Sequence, residues 1–272
     1  MLNIQKKLTN GFYAILSLPS TAMGFALSIQ IAALSWILNT KYNLDIHQIG
    51  IVWAAGPIAG IFGQVIIGLI SDNVWFWGGR RRPFILIGGT LAALMLLALP
   101  NIDVINEYLG IGSLMAVAIA VALTLDMAIN ISFNPTRSII ADVTPDGTPR
   151  TKGYTWMQTI SGFWGVMAYV IGAVFGNFLL IYLGAFIVLI FSILPTFFIT
   201  ESQQLQVEST GKNETTDSDK TKTNWNELFR IYFAHGFSWL GIQTMFVYII
   251  AYIQQKLNPA SDMETGQIIA IS

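Results

Sequence analysis

Long stretches without a charged residue run through this chain and restrict what it can fold into. Asp, Glu, Lys and Arg are all absent from six ranges: 8–40, 46–71, 83–102, 108–125, 153–200 and 231–255. A helix needs about 20 apolar residues to cross a hydrocarbon layer of roughly 30 Å, and the run at 153–200 is long enough for two such helices. Continuous apolar runs favour helices over a β-barrel, whose strands alternate in polarity. We therefore predict an all-α polytopic membrane protein.

The runs predict seven spans, with an eighth starting near Gln267. The approximate ranges are 11–38, 48–71, 83–100, 110–134, 154–176, 180–199 and 230–254, and the fifth and sixth spans are divided near Asn177. The first run far exceeds the roughly 7–15-residue core of a signal peptide, so it is interpreted as a retained helix. Prolines inside four spans predict helix kinks; they are Pro19, Pro57, Pro135 and Pro195.

The placement of lysine and arginine predicts the orientation. With a cytoplasmic N-terminus, eleven of these residues fall in inside segments and two, Lys41 and Lys256, fall outside. This bias satisfies the positive-inside rule and predicts an inner-membrane or plasma-membrane protein. Residues 201–227 are polar with mixed charge and are predicted to form a flexible cytoplasmic linker. Residues 1–200 then form a six-helix N-terminal half, and residues 228–272 form the first one or two spans of a second half.

Two motifs carry a resemblance to a known family. The first motif is Gly68-x-x-x-Asp72 followed by Gly79-Arg80-Arg81-Arg82, and it lies between the second and third spans. The second motif lies in the fourth span and runs from Leu125-Asp126 through Asn130 to Pro135-x-Arg137 and Asp142. The first resembles the loop signature of the major facilitator superfamily. Together they resemble one branch of this superfamily, the sucrose/proton symporter type of the glycoside–pentoside–hexuronide:cation symporters. A weaker match is Gly24 to Gln30, whereas Ser138 replaces the usual alanine.

This resemblance implies a twelve-span transporter of two six-helix halves, most of the second half being absent here. It implies proton-coupled sugar transport involving Asp126 and Arg137, and a loop at Gly68, Asp72 and Gly79 that latches a gate. The expected substrate is a sugar, the coupling cation is H⁺, and no other cofactor, metal or nucleic acid is expected. The expected state is a monomer in the lipid bilayer when full length. We expect residues 1–272 alone to show no uptake.

The fourth span also has a physical interpretation of its own. At about 100° per residue, Asp126, Asn130, Asn134 and Arg137 lie at roughly 0°, 40°, 80° and 20° on one helix face. Charge at mid-membrane costs at least about 2.5–3.5 kcal/mol, so this polar stripe is predicted to face the bundle interior or a water-filled cavity. The alternative is a structural ion pair between helices. Gln30 in the first span is likewise a candidate sugar ligand or an interhelical contact.

The loop between the second and third spans also has two interpretations. Its arginines, Arg80, Arg81 and Arg82, hold the loop inside by charge alone, or they take part with Asp72 in a latch. No phosphate-binding loop, metal-ligand cluster or nucleophile–base set occurs in the sequence, so neither an enzyme nor an ATP-driven pump is predicted. The alternative to a transporter is a non-transporting membrane remnant or a helical interaction scaffold.

Overall fold

The computed structural model describes residues 3–202 and 224–257, and these are almost entirely helical. The helices are α1 (Asn3–Lys6), α2 (Asn10–Thr40), α3 (Ile46–Trp53), α4 (Ala55–Asn73), α5 (Arg82–Ala98), α6 (Ile102–Leu109), α7 (Leu114–Val143), α8 (Thr148–Phe175), α9 (Asn177–Phe198) and α10 (Trp225–Tyr252). The predicted all-α class is confirmed. The predicted eighth span and most of the predicted linker lie outside the described residues.

Five of the described helical segments are long and apolar enough to cross a membrane: α2, α5 with α6, α7, α8 and α9. They coincide with the first and the third to sixth predicted spans. The predicted division near Asn177 is also confirmed, because α8 ends at Phe175 and Gly176 turns the chain with a φ of 87°. Helix α7 continues to Val143, well beyond the predicted end at residue 134.

The second predicted span is interrupted, because α3 ends at Trp53 and α4 begins at Ala55. Pro57 explains the position of the break. A proline lacks the N–H that would bond to the carbonyl four residues earlier, and its ring clashes with that carbonyl. The carbonyl in question belongs to Trp53. The other three span prolines lie inside continuous helices.

Helix α2 lies at the centre of the bundle, and most of its residues are buried. It packs mainly against α8 and α9, while α5 packs between α7 and α9, and α4 packs along α7. Small residues allow these close approaches. A Cβ at Gly88 of α5 would lie 2.6 Å from the Ala128 carbonyl oxygen of α7, and a Cβ at Gly89 would overlap Ser192 of α9.

Candidate functional site: a polar stripe on α7 and an arginine loop

The polar stripe of α7 lies along a glycine face of α4. A Cβ at Gly56 would lie 3.1 Å from the Asp126 Oδ2. A Cβ at Gly63 would lie 2.8 Å from the Asn130 Cβ, and one at Gly68 would lie 3.5 Å from the Asn134 Nδ2. A larger residue at Gly63 would clash with the Asn130 Cβ, so this glycine in particular allows the stripe to pack closely against α4. Asp126, Asn130 and Asn134 of the stripe are half-buried.

Gln30 approaches the same carboxyl group from α2. Its side chain is 0% exposed and lies close enough to Asp126 to interact with it electrostatically. Neither the amide nitrogen nor the amide oxygen of Gln30 makes a hydrogen bond of normal geometry within the described residues. The Asn130 amide instead donates to the Asp126 backbone carbonyl at 2.8 Å. Three helices therefore meet around Asp126: α2, α4 and α7.

Arg137 does not share the surroundings of Asp126. Its side chain is exposed, and its guanidinium carbon lies 4.1 Å from the centroid of the Phe133 ring. The ion pairs found among the described residues include neither Asp126 nor Arg137. Eleven residues of helix separate the two along α7, about 16 Å. Arg137 is thus exposed at one point of α7, whereas Asp126 is half-buried at another.

The arginine loop, residues 72–82, is held by carboxylates within this half of the molecule. The Arg81 guanidinium lies 2.5 Å from Asp72 and 3.2 Å from Asp142, and it donates to the Ser71 hydroxyl at 2.8 Å. Arg80 also pairs with Asp142, at 3.1 Å. Asp142 thus binds two arginines from the far end of α7. Asp142 belongs to the second sequence motif, but nothing in that motif indicates that it contacts the loop.

Glu201 is the second residue that sequence reasoning missed, because it was assigned to the linker. Its carboxylate accepts hydrogen bonds from the backbone N–H groups of Arg80, Arg81 and Arg82, each at 2.8 Å. The side chain is 8% exposed. It neutralises the N-terminus of α5, where unpaired N–H groups and the helix dipole favour an anion. An acidic residue directly after an apolar span was the available signal.

The tip of the arginine loop is a tight turn. Phe76 and Gly79 exchange backbone hydrogen bonds of 3.1 and 3.2 Å, and Trp77 and Gly78 between them have positive φ values of 48° and 71°. A Cβ at Gly79 would lie 2.6 Å from a carboxylate oxygen of Glu201. A larger residue at position 79 would therefore displace the Glu201 carboxylate from its place beside the loop.

At the opposite end of the bundle, Tyr42 joins the end of α2 to the start of α6. Its hydroxyl donates to the Leu99 carbonyl and accepts from the Ile102 N–H, both at 2.9 Å, and burial raises the pKa of Tyr42. Lys41 pairs with Asp103 nearby, at 3.1 Å. Within the described residues, no cluster of His, Asp or Glu is able to hold a metal ion.

The amino-acid sequence of this chain is similar to those of known proteins. A model described as Major Facilitator Superfamily matches residues 16–272. The General alpha-glucoside permease of Schizosaccharomyces pombe is 28% identical over 174 residues, which are 57% of this chain and 31% of that protein. The Sucrose transport protein SUC4 of Arabidopsis thaliana is 31% identical over 108 residues, 38% of this chain and 21% of that protein.

A Membrane-associated transporter protein of Mus musculus is 26% identical over 179 residues, 62% of this chain and 33% of that protein. The matched parts thus span about a fifth to a third of the length of these curated relatives. No solved structure matches the chain significantly.

Proposed function

The chain belongs to the Major Facilitator Superfamily, and on that premise we propose that it is the N-terminal part of a proton-coupled symporter for a sugar or glycoside. The observation that carries the proposal is the position of Asp126. This carboxyl lies within a membrane-spanning helix, takes part in none of the ion pairs of the described residues and lies against α4 and the amide of Gln30. Ionisable residues are rare inside spans because their burial is costly, so one found there supports the hypothesis of a functional site.

The sugar class is supported by what the relatives are named for. One is an alpha-glucoside permease and another is a sucrose transport protein. In this proposal the exposed guanidinium of Arg137 donates to sugar hydroxyls, because its five N–H groups form a fixed, always charged fork. The Phe133 ring beneath it restricts the directions that this fork can take.

Asp126 carries the coupling proton in this proposal. Burial in an apolar bundle favours the neutral form of a carboxyl group, so the residue can take a proton on one side of the membrane and release it on the other. Transport then proceeds by rocking of two helical halves around a central site. The N-terminus and the arginine loop face the cytoplasm, as the distribution of lysine and arginine predicts.

Uptake by the complete protein in vesicles with an imposed pH gradient tests the proposal. A panel of sugars and glycosides identifies the substrate. Asp126→Asn is then expected to abolish accumulation against a gradient while the protein remains in the membrane. The matched control is Asp146→Asn, since Asp146 is an exposed aspartate in the short turn before α8. Normal accumulation by Asp126→Asn, with proton coupling intact, would refute the assignment of Asp126.

A further inference from the structure

The amide of Gln30 is in an unusual state for a buried polar group. The large majority of buried side-chain polar atoms have a hydrogen-bond partner, and leaving one unpaired is unfavourable. Gln30 is completely buried, yet both its amide atoms lack a bond of normal geometry within the described residues. The group that its amide approaches is the carboxyl of Asp126, on the neighbouring α7.

The chemistry of the two groups is complementary in both protonation states of the carboxyl. An ionised carboxylate only accepts hydrogen bonds, whereas a protonated carboxyl also donates one. A glutamine amide carries two N–H donors on one side and a carbonyl acceptor on the other. Rotation of the amide by about half a turn around its last torsion exchanges the two sides, and this torsion is soft.

Within the described part of the chain, no charged group competes with Gln30 for the Asp126 carboxyl. The Gln30 side chain interacts electrostatically with this carboxyl, whereas no charged or titratable group of the described α2, α3, α4, α5 or α8 does so. Helix α2 contains no Asp, Glu, Lys, Arg or His. Asp72, at the end of α4, is paired with Arg81. Gly56 closes the third side of the carboxyl, where a Cβ would lie 3.1 Å from Oδ2.

We propose that Gln30 is a positioning residue for the Asp126 proton site, whose amide donates to the carboxylate and, after rotation, accepts from the protonated carboxyl. This inference rests on the proposed role of Asp126 in proton coupling. The rotation makes the contact between α2 and α7 depend on whether a proton is bound. Because Gln30 is sealed from solvent, this role does not require contact with substrate.

Gln30→Leu tests the proposal, because leucine fills much of the same space without donor or acceptor. Hydrogen bonds to charged groups are stronger than those to neutral groups, so loss of the amide destabilises the ionised Asp126 carboxylate more than the protonated carboxyl. The pH at half-maximal uptake by the complete protein is therefore expected to rise by about one unit, a tenfold change in proton affinity. Gln30→Glu is the second variant, and its two carboxyls would share one proton and broaden the profile.

Ser17→Ala is the matched control. Ser17 is also a fully buried polar residue of α2, but its hydroxyl already donates to the Tyr13 carbonyl at 2.7 Å. Its removal is expected to leave the pH profile unchanged. If Asp126→Asn abolishes coupling while Gln30→Leu and Gln30→Glu both keep the wild-type pH profile, the role of Gln30 is refuted and that of Asp126 stands.

A measurement that does not depend on transport separates the contact of Gln30 with Asp126 from the role of Asp126 in proton coupling. A carbodiimide reacts with protonated carboxyl groups, so the Asp126-dependent labelling, defined by subtraction of Asp126→Asn, is followed against pH. A midpoint that rises in Gln30→Leu supports the amide contact even if Asp126→Asn turns out to couple normally. An unchanged midpoint in both Gln30 variants overturns it.

Discussion

Removal of the Glu201 carboxylate is the sharpest test of how the arginine loop is held. In Glu201→Ala, the backbone N–H groups of Arg80, Arg81 and Arg82 lose their common acceptor. The loop and the first turn of α5 are fixed by these bonds, whereas the side chains of Arg80 and Arg81 keep their pairs with Asp142. The change therefore isolates the backbone contribution.

The magnitude follows from the number of bonds. Each buried donor left without a partner costs about 1–3 kcal/mol, and the low end applies because water reaches the half-buried parts of the loop. Three donors then cost about 3 kcal/mol. Loss of a negative charge at the N-terminus of α5 adds about 0.3–1 kcal/mol. We expect Glu201→Ala to lower the free energy of unfolding by about 3–4 kcal/mol.

The assay is denaturant unfolding of the purified protein in detergent. Glu201→Gln is expected to fall between wild type and alanine, because its one carbonyl oxygen can replace Oε2, which accepts from both Arg80 and Arg81. The control is Glu227→Gln, whose exposed pair with Arg230 contributes at most about 0.5 kcal/mol. If Glu201→Ala unfolds like Glu227→Gln, the carboxylate does not hold the loop.

Three other predictions follow from the structure. In intact cells, an impermeant thiol reagent should label Tyr108→Cys but not Ser202→Cys on this cysteine-free background, because positions 108 and 202 lie at opposite ends of spans. Labelling of Ser202→Cys but not Tyr108→Cys would invert the topology. Gly88→Ala should lower detergent stability by about 1–3 kcal/mol through overpacking, whereas Gly162→Ala, with open space around it, should match or exceed wild type in thermal unfolding. Asp126→Asn should abolish proton-driven accumulation in vesicles, as argued above.

Most of the fold was predictable because the membrane imposes a simple rule on sequence. Charge-free runs of sufficient length must be helices, and this located the spans from α2 to α9. The break before α4 was only partly predictable. Pro57 indicated a kink, but equivalent prolines such as Pro19 and Pro135 lie in continuous helices, so a proline alone does not determine whether a helix is interrupted.

The candidate site was less predictable than the fold. Helical periodicity placed Asp126 and Asn130 on one face of α7, but it contained no information about which helix covers that face. The glycines of α4 were a usable signal, since regularly spaced small residues mark close helix contacts. Glu201 and Asp142 were not identified as loop partners because about 120 and 60 residues separate them from the arginines, and no local pattern reports such a contact.

The latch that the family resemblance implies needs a residue of the arginine loop that can reach the second half of a transporter. The side chains of Arg80 and Arg81 are 12% and 9% exposed and are paired within this half. Asp72 differs, because its side chain is 57% exposed although it contacts Arg81. An exposed carboxylate suits the N-terminus of an opposing helix. If the loop latches a gate as the resemblance implies, Asp72 makes the contact between the halves, while Arg81, held by Asp142, fixes the position of Asp72.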